Sequence, residues 1–318
     1  MANKFTKLNI GDAVASSGGR VWKKLSVESG GGLPAVGTSL EDYTWEQISA
    51  ISAAGKGEEY FKVGDTKSVY LKGTVGTLEL DTTLYVYILG FNHNSEIEGE
   101  GITFGTFKTA DGVDVALTDD YVGADTSGAK YFNINHWGRL NNGGWAGCDM
   151  RYDILGSTDK APSGYGASPA SGRTGYDPSA TCATNPVSNT LMAALPSDLR
   201  AVMKPMTKYT SNGDYYNDTE AKVTVTTDYL PLLAEFEIFG TDTYANSYEQ
   251  NKQKQYDYYA AGNSKVKYRH SSTGSRESWW GRSATYNFNN CFCGVGTGGE
   301  KTYGYSSSSR DVAPIFKV

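Results

Sequence analysis

The chain has 318 residues, enough for one large domain or two ordinary ones. Glycine (38) and tyrosine (23) are abundant and charged residues make up only 20%, a balance too aromatic and too weakly charged for disorder. The net charge is −6 and the Lys and Arg residues form no run, which argues against nucleic acid as a partner, because phosphate binding needs a concentrated basic face.

The chain starts Met-Ala-Asn-Lys-Phe-Thr-Lys with no apolar stretch behind it, so no secretory signal is expected. The longest apolar runs, Val86–Leu89 and Leu230–Leu233, are far too short to cross a bilayer. These features predict synthesis in the cytoplasm; a role outside the cell would be reached by another route, such as assembly into a particle released by lysis. Residues 1–40 carry Ser-Gly clusters at 16–19 and 29–32 around Arg20–Leu25, the pattern of a flexible attachment segment, and are set apart from a domain at 41–318.

A helix is expected to begin after Thr44. Thr44 can cap it and Gln47 can complete a capping box, while Trp45, Ile48 and Ile51 make one apolar stripe and Gly55 supplies a stop. Strands are expected at Glu59–Val63, Ser68–Lys72 and Leu84–Phe91, rich in Val, Tyr, Ile and Phe and separated by Gly-Asp and Gly-Thr turns. A second helix fits Ala146–Leu155, with Met150 and Ile154 inward. A long surface loop fits residues 157–190, and a short helical turn fits Leu195–Arg200 with Pro196 at its start. Lys222–Thr226 and Tyr229–Phe239 read as strands or buried extended segments. Few helices, many short strands and long loops predict an α+β fold.

Four cysteines, Cys148, Cys182, Cys291 and Cys293, have no zinc-site spacing and are expected to be free thiols. The three histidines, His93, His136 and His270, have no recognisable triad partners in sequence, and no phosphate loop, dinucleotide fingerprint or zinc-protease motif is present. Asp111, Asp114, Asp119 and Asp120 lack the ligand spacing of a calcium loop and read as solvated turns. No catalytic residue, metal or cofactor is expected.

The tail from Ser278 to Val318 has a different character. It holds six Ser, six Gly, three Tyr and three Asn, the residue types favoured in antibody paratopes. Trp279, Trp280, Phe292, Val295, Val312, Pro314 and Phe316 read as buried framework. Tyr286, Asn287, Asn289, Asn290, Cys291, Cys293, Tyr303, Tyr305 and Ser306 read as display positions.

An ordered set of segments also carries a resemblance. It comprises Trp45-Glu46-Gln47-Ile48, Tyr60–Asp65, Ile88–Asn94, Gly101–Phe104, Gly143-Gly144-Trp145 with Met150-Arg151, Leu195–Arg200 and Asp228–Leu233 running into Glu235–Gly240. Ser278-Trp279-Trp280-Gly281-Arg282-Ser283 and Val312-Ala313-Pro314-Ile315-Phe316 complete it. Over about residues 44–318 it resembles a family of bacterial and phage proteins of unknown function. The family's last segment is similar to the end of a C-type-lectin-like fold, and in related proteins that segment is diversified by retroelements that rewrite adenine-containing codons. Gly281 and Ala284 depart from the usual Trp-Trp-Leu-Arg-Ser-Pro. All nine display positions hold residue types reachable from an asparagine codon by changing its two adenines.

The resemblance implies a non-enzymatic receptor- or host-surface-binding protein, on a phage tail tip or as an adhesin at the cell exterior. It implies a host protein or glycan as ligand and virion components as neighbours; because multivalent display suits weak single-site binding, a homo-oligomer is expected, of which a trimer is one form. The alternatives are a structural virion protein and a bacterial surface lectin of fixed specificity. Formylglycine-generating enzymes share the lectin-like architecture and use a C-terminal cysteine pair, but the one-residue spacing of Cys291 and Cys293 does not match theirs.

Overall fold

The computed structural model describes residues 32–119, 132–135, 140–161, 176–213, 215–216 and 218–318. The chain divides into a unit of residues 1–35, of which only 32–35 are described, and a unit Val36–Val318. Most of the expected attachment segment, and His136 and Asp120, lie outside the described residues. Leu40, at the end of that segment, is buried in the core of the second unit.

The second unit is an α+β arrangement of short helices and mostly antiparallel sheets. Helix α1, Trp45–Ala53, forms as expected: Thr44 and Gln47 make the capping box, and Trp45, Ile48 and Ile51 are buried. Gly55 follows it at φ 68°, a left-handed conformation that suits glycine.

Strands β1 (Thr66–Val75) and β2 (Leu78–Phe91) form a long hairpin. Gly76, at φ 62°, is the first central residue of its two-residue turn, where primed turns favour glycine. Strand β3 is Ile102–Lys108, and β4 is the short Val115–Ala116. β5 (Met206–Ser211) and β6 (Val223–Asp228) pair antiparallel. β7 (Lys267–Arg269) lies parallel to β4 and antiparallel to β8 (Ser272–Glu277). β9 (Trp279–Ala284), β10 (Cys291–Val295) and β11 (Lys301–Tyr305) make a three-stranded antiparallel sheet with β10 in the middle. The last strand, β12 (Ile315–Lys317), returns to pair with β3, giving the order β1-β2-β3-β12.

β2 explains its own composition. Val86 and Ile88 face one apolar cluster with α1, while Tyr87 and Leu89 face another with Trp279 and Ile315. A strand buried on both faces reads as a continuous apolar run rather than an alternating one.

Three expected elements differ. Glu59–Val63 is not a strand: Gly57–Tyr60 makes a helical turn closed by Phe61 N–H on the Gly57 carbonyl. Phe61 packs edge-on to Tyr43, with ring centres 5.1 Å apart, and that contact replaces strand pairing. Ala146–Leu155 is broken into a helical turn at Gly144–Gly147 and a π-helical turn at Met150–Ile154, with Met150 and Ile154 buried as expected. Tyr229–Phe239 is a buried loop ending in the helical turn Glu235–Phe239, held where the Glu237 carboxylate accepts the Ala234 N–H at 2.9 Å.

Candidate functional site

The framework positions Trp279, Trp280, Phe292, Val295, Val312, Pro314 and Phe316 are all buried. Beneath β9 lies an ionic network. The Arg282 guanidinium binds both oxygens of Glu237, its Nη2 at 2.9 Å, and its Nε donates to Thr210 at 2.8 Å. Lys208 bridges Glu237 at 2.9 Å and Glu98 at 2.8 Å, and all four side chains are almost fully buried. Burial alone would raise the Glu237 pKa, but Arg282 and Lys208 outweigh it and hold the carboxyl well below its usual range. A second buried cluster joins Trp145 Nε1 (2.9 Å) and Arg151 Nε (2.8 Å) to Asp228. Arg282, Glu237, Trp145, Arg151 and Asp228 come from the motif segments singled out in the sequence, so those segments build scaffold.

The nine display positions separate on this scaffold. Tyr303 is 37% and Tyr305 62% exposed. Asn289 is exposed, and Tyr286, Asn287 and Asn290 are half-buried. Cys291, Cys293 and Ser306 are buried and do not reach the surface. The two cysteines stand directly across from Tyr305 and Tyr303 in the β10–β11 register and so share their face. Being on the middle strand, however, they are covered. The Cys293 thiol lies 3.8 Å from Glu235, whose Oε2 accepts the N–H groups of Thr243, Tyr244 and Ala245 at 3.1, 2.9 and 2.8 Å and so anchors the 241–245 loop there. The Cys291 thiol sits against Asn290. Ser306 is fixed by its backbone, which bonds Asn290 and Asn135 at 2.8 and 2.9 Å.

Burial pushes the Cys291 thiol up to about 11 and the Cys293 thiol well above its ordinary value. Both stay protonated near neutral pH, which makes them poor nucleophiles. All four cysteines are free.

Residues outside the expected set complete the surface. Tyr303 is held between Tyr244, edge-on at 4.8 Å, and Phe288, stacked at 4.9 Å. Exposed Tyr248, Tyr215, Tyr216 and Leu140 lie on segments bonded to these. Tyr286 N–H donates to the Tyr244 carbonyl at 3.0 Å. Ser247 binds Asp218, and Asn246 Nδ2 binds the Thr219 carbonyl at 3.0 Å, tying the Tyr215–Tyr216 loop to the Tyr244–Tyr248 loop. The buried Asn141, next to Leu140, clamps the loop before β10: its Nδ2 reaches the carbonyls of Thr285, Phe288 and Cys291 at 3.2, 2.7 and 3.0 Å, and its N–H reaches the Asn289 carbonyl at 2.7 Å. Of these, only Phe288 lies among the display positions in sequence, between Asn287 and Asn289, where its neighbours could have signalled it. Tyr244, Tyr248, Tyr215, Tyr216 and Asn141 lie far away in the chain and are brought in by folding.

Under the Tyr244 loop the electrostatics are unusual. Asp242 has two carboxylate oxygens shielded from solvent with no hydrogen-bond partner among the described residues. Burial, then Glu249 and Glu235, push its pKa up to about 8. Burial also lifts Glu249 to about 7, although Ser211 N–H and the Ser283 hydroxyl each donate to it at 2.7 Å. Lys301 Nζ is tied to the Thr241 carbonyl at 2.7 Å and the Thr243 hydroxyl at 2.9 Å.

The two described histidines, His93 and His270, are engaged elsewhere. His93 stacks on Tyr256 at 3.6 Å, and burial lowers its pKa to about 4. His270 Nδ1 accepts the Thr118 N–H at 3.1 Å. Asp114 pairs with Lys108 at 2.9 Å, and Asp119 is buried rather than solvated. Among the described residues no group of three or more His, Cys, Asp or Glu side chains is arranged to hold a metal ion, and no helix is long and apolar enough to cross a membrane.

No known family model, curated protein or solved structure matches the chain. The functional reading therefore rests on the sequence and the geometry of the chain itself.

Proposed function

We propose that the chain is a non-enzymatic binding protein with a C-type-lectin-like fold, whose aromatic surface on β11 and the loops around it recognises a host cell-surface protein or glycan. It acts from a virion, as part of a phage tail tip, or from the cell exterior, and its display as a homo-oligomer raises avidity by about 10²–10⁴-fold over a single site. The fold reading is supported by the last strand returning to β3 while the three strands before it form a separate antiparallel sheet. The observation that carries the binding reading is Tyr303, packed between Tyr244 and Phe288 with Tyr305 exposed beside it, on a strand whose underlying framework is entirely buried. Tyrosine gives broad amphipathic contact at low entropy cost, and neighbouring Asn side chains adapt their hydrogen bonding. Protonated, covered thiols favour binding over chemistry at Cys291 and Cys293.

Two measurements test this. Replacing Tyr286, Tyr303 and Tyr305 together with Ala abolishes adhesion of the purified chain to the cells it recognises, with thermal unfolding near that of the parent. Unchanged adhesion would remove the surface from the site. Deep sequencing of the gene's 3′ end across the carrying population shows substitutions at exposed positions with Trp279, Trp280, Phe292 and Phe316 fixed; a uniform tail points to a fixed-specificity lectin or a structural part.

A further inference from the structure

We infer that Arg310 is a positioning residue for the tyrosine surface: it stands in for a missing neighbour strand along the free edge of β11 and fixes the backbone from which Tyr303 and Tyr305 project. This rests on the reading that the surface binds a ligand.

β11 is an edge strand, bonded only to β10 within its sheet. Ser306 N–H donates to the Asn290 carbonyl and Gly296 N–H to the Glu300 carbonyl, each at 2.8 Å. In an antiparallel ladder, bonded and non-bonded pairs alternate. The bonded pairs are therefore Phe292/Gly304 and Gly294/Thr302, and the carbonyls of Tyr303 and Tyr305 point outward from the edge. An unclaimed edge is free to fray or to pair with another chain.

The Tyr303 and Tyr305 carbonyls are both claimed by the segment that follows. Ser308 N–H donates to Tyr305 O at 2.8 Å, and Arg310 Nη2 donates to Tyr303 O at 2.7 Å. The guanidinium is itself held in place. Its central carbon lies 4.8 Å from the centre of the Trp280 ring, a cation–π distance, and Trp280 is fully buried with its Nε1 bonded to the Phe132 carbonyl at 2.8 Å. Two glycines make the room. A Cβ on Gly304 would lie 2.6 Å from Arg310 Nη2, and one on Gly294 would lie 3.0 Å from Nη1. Among the described residues Arg310 has no acidic partner, so its charge is committed to a ring and a backbone carbonyl.

The test is site-resolved amide hydrogen exchange on the full chain, read at Thr302 and Gly304, whose N–H groups bond β10. In Arg310→Ala their protection falls by about tenfold or more, while amides of β1, β2 and β3 keep theirs. Arg310→Lys restores part of the protection, because an ammonium can still reach Tyr303 O but cannot lie flat on Trp280. Gly304→Ala displaces the guanidinium and reproduces the Arg310→Ala pattern. Should Arg310→Ala not fold, Arg310→Lys and Gly304→Ala carry the comparison. Protection unchanged at Thr302 and Gly304, or lost equally throughout the molecule, overturns the assignment. Because the readout needs no ligand, its failure leaves the binding reading intact, whereas failure of the tyrosine substitutions to affect adhesion removes the ligand from the inference and leaves only Arg310's bracing of β11.

Discussion

Glu237 and Asp242 stand close together in the sequence, on either side of the turn at Gly240, and meet opposite surroundings. Glu237 is gripped by Arg282 and Lys208, and its charge is stabilised despite complete burial. Asp242 lies with Glu249 and Glu235 beneath the Tyr244 loop, and its two oxygens have no hydrogen-bond partner among the described residues. The ionic core under β9 is thus compensated, while Asp242, beside the binding loop, is not. Compensation separates a rigid framework from a loop whose stability depends on its protonation.

The largest expected effect breaks the compensated side. Arg282→Ala leaves Glu237 buried with Lys208 as its remaining cation, and should cost about 3–5 kcal/mol in chemical denaturation. A loss below about 1 kcal/mol would show that the network does not hold the framework. Next is Asn141→Ala, which leaves the carbonyls of Thr285, Phe288 and Cys291 without the Asn141 amide and should cost about 2 kcal/mol. The cost should be accompanied by faster exchange in the loop before β10.

The comparison sharpens with pH. Asp242 and Glu249 have raised pKa values, so the folded state binds more protons than the unfolded chain. Their contribution is fully present below the unfolded values of 3.8 and 4.5 and is lost as pH rises through about 7 to 8. Glu237 is depressed, so its contribution is present above 4.5 and is lost as pH falls below that value. Thermal stability should therefore decline between pH ~4.5 and ~8, and Asp242→Asn should flatten that limb by about 1–2 kcal/mol. A profile that Asp242→Asn leaves unchanged would mean the acid cluster is relieved in solution. The smallest effect is expected at the surface: Tyr305→Ala should alter stability by no more than about 0.5 kcal/mol, measured by calorimetry.

What could be read in advance follows the range of the interactions. Helix α1 was legible because its cap, stripe and stop are all local. The buried framework of the tail was legible because large apolar residues have few other places to go. Glu59–Val63 misled because Tyr60 and Phe61 suit a strand, while their partner Tyr43 lies in a different segment. Cys291 and Cys293 lie on the same face as the tyrosines, as the register requires. Cys293 is withdrawn from the surface by Glu235 and the loop it anchors, which no inspection of residues 278–318 reveals, and Cys291 lies buried against Asn290. Tyr244 and Asn141 escaped for the same reason: their roles depend on contacts that span much of the chain.

The way Asn141 holds its loop has a consequence for engineering. Its bonds to Thr285, Phe288, Asn289 and Cys291 end on backbone carbonyls, and Tyr286 and Ser306 are also tethered through main-chain atoms. The grip is indifferent to which side chains the loop carries. Positions 286, 287, 289 and 290 can be randomised together without removing any of those bonds, so the scaffold is suited to carrying libraries of new recognition loops.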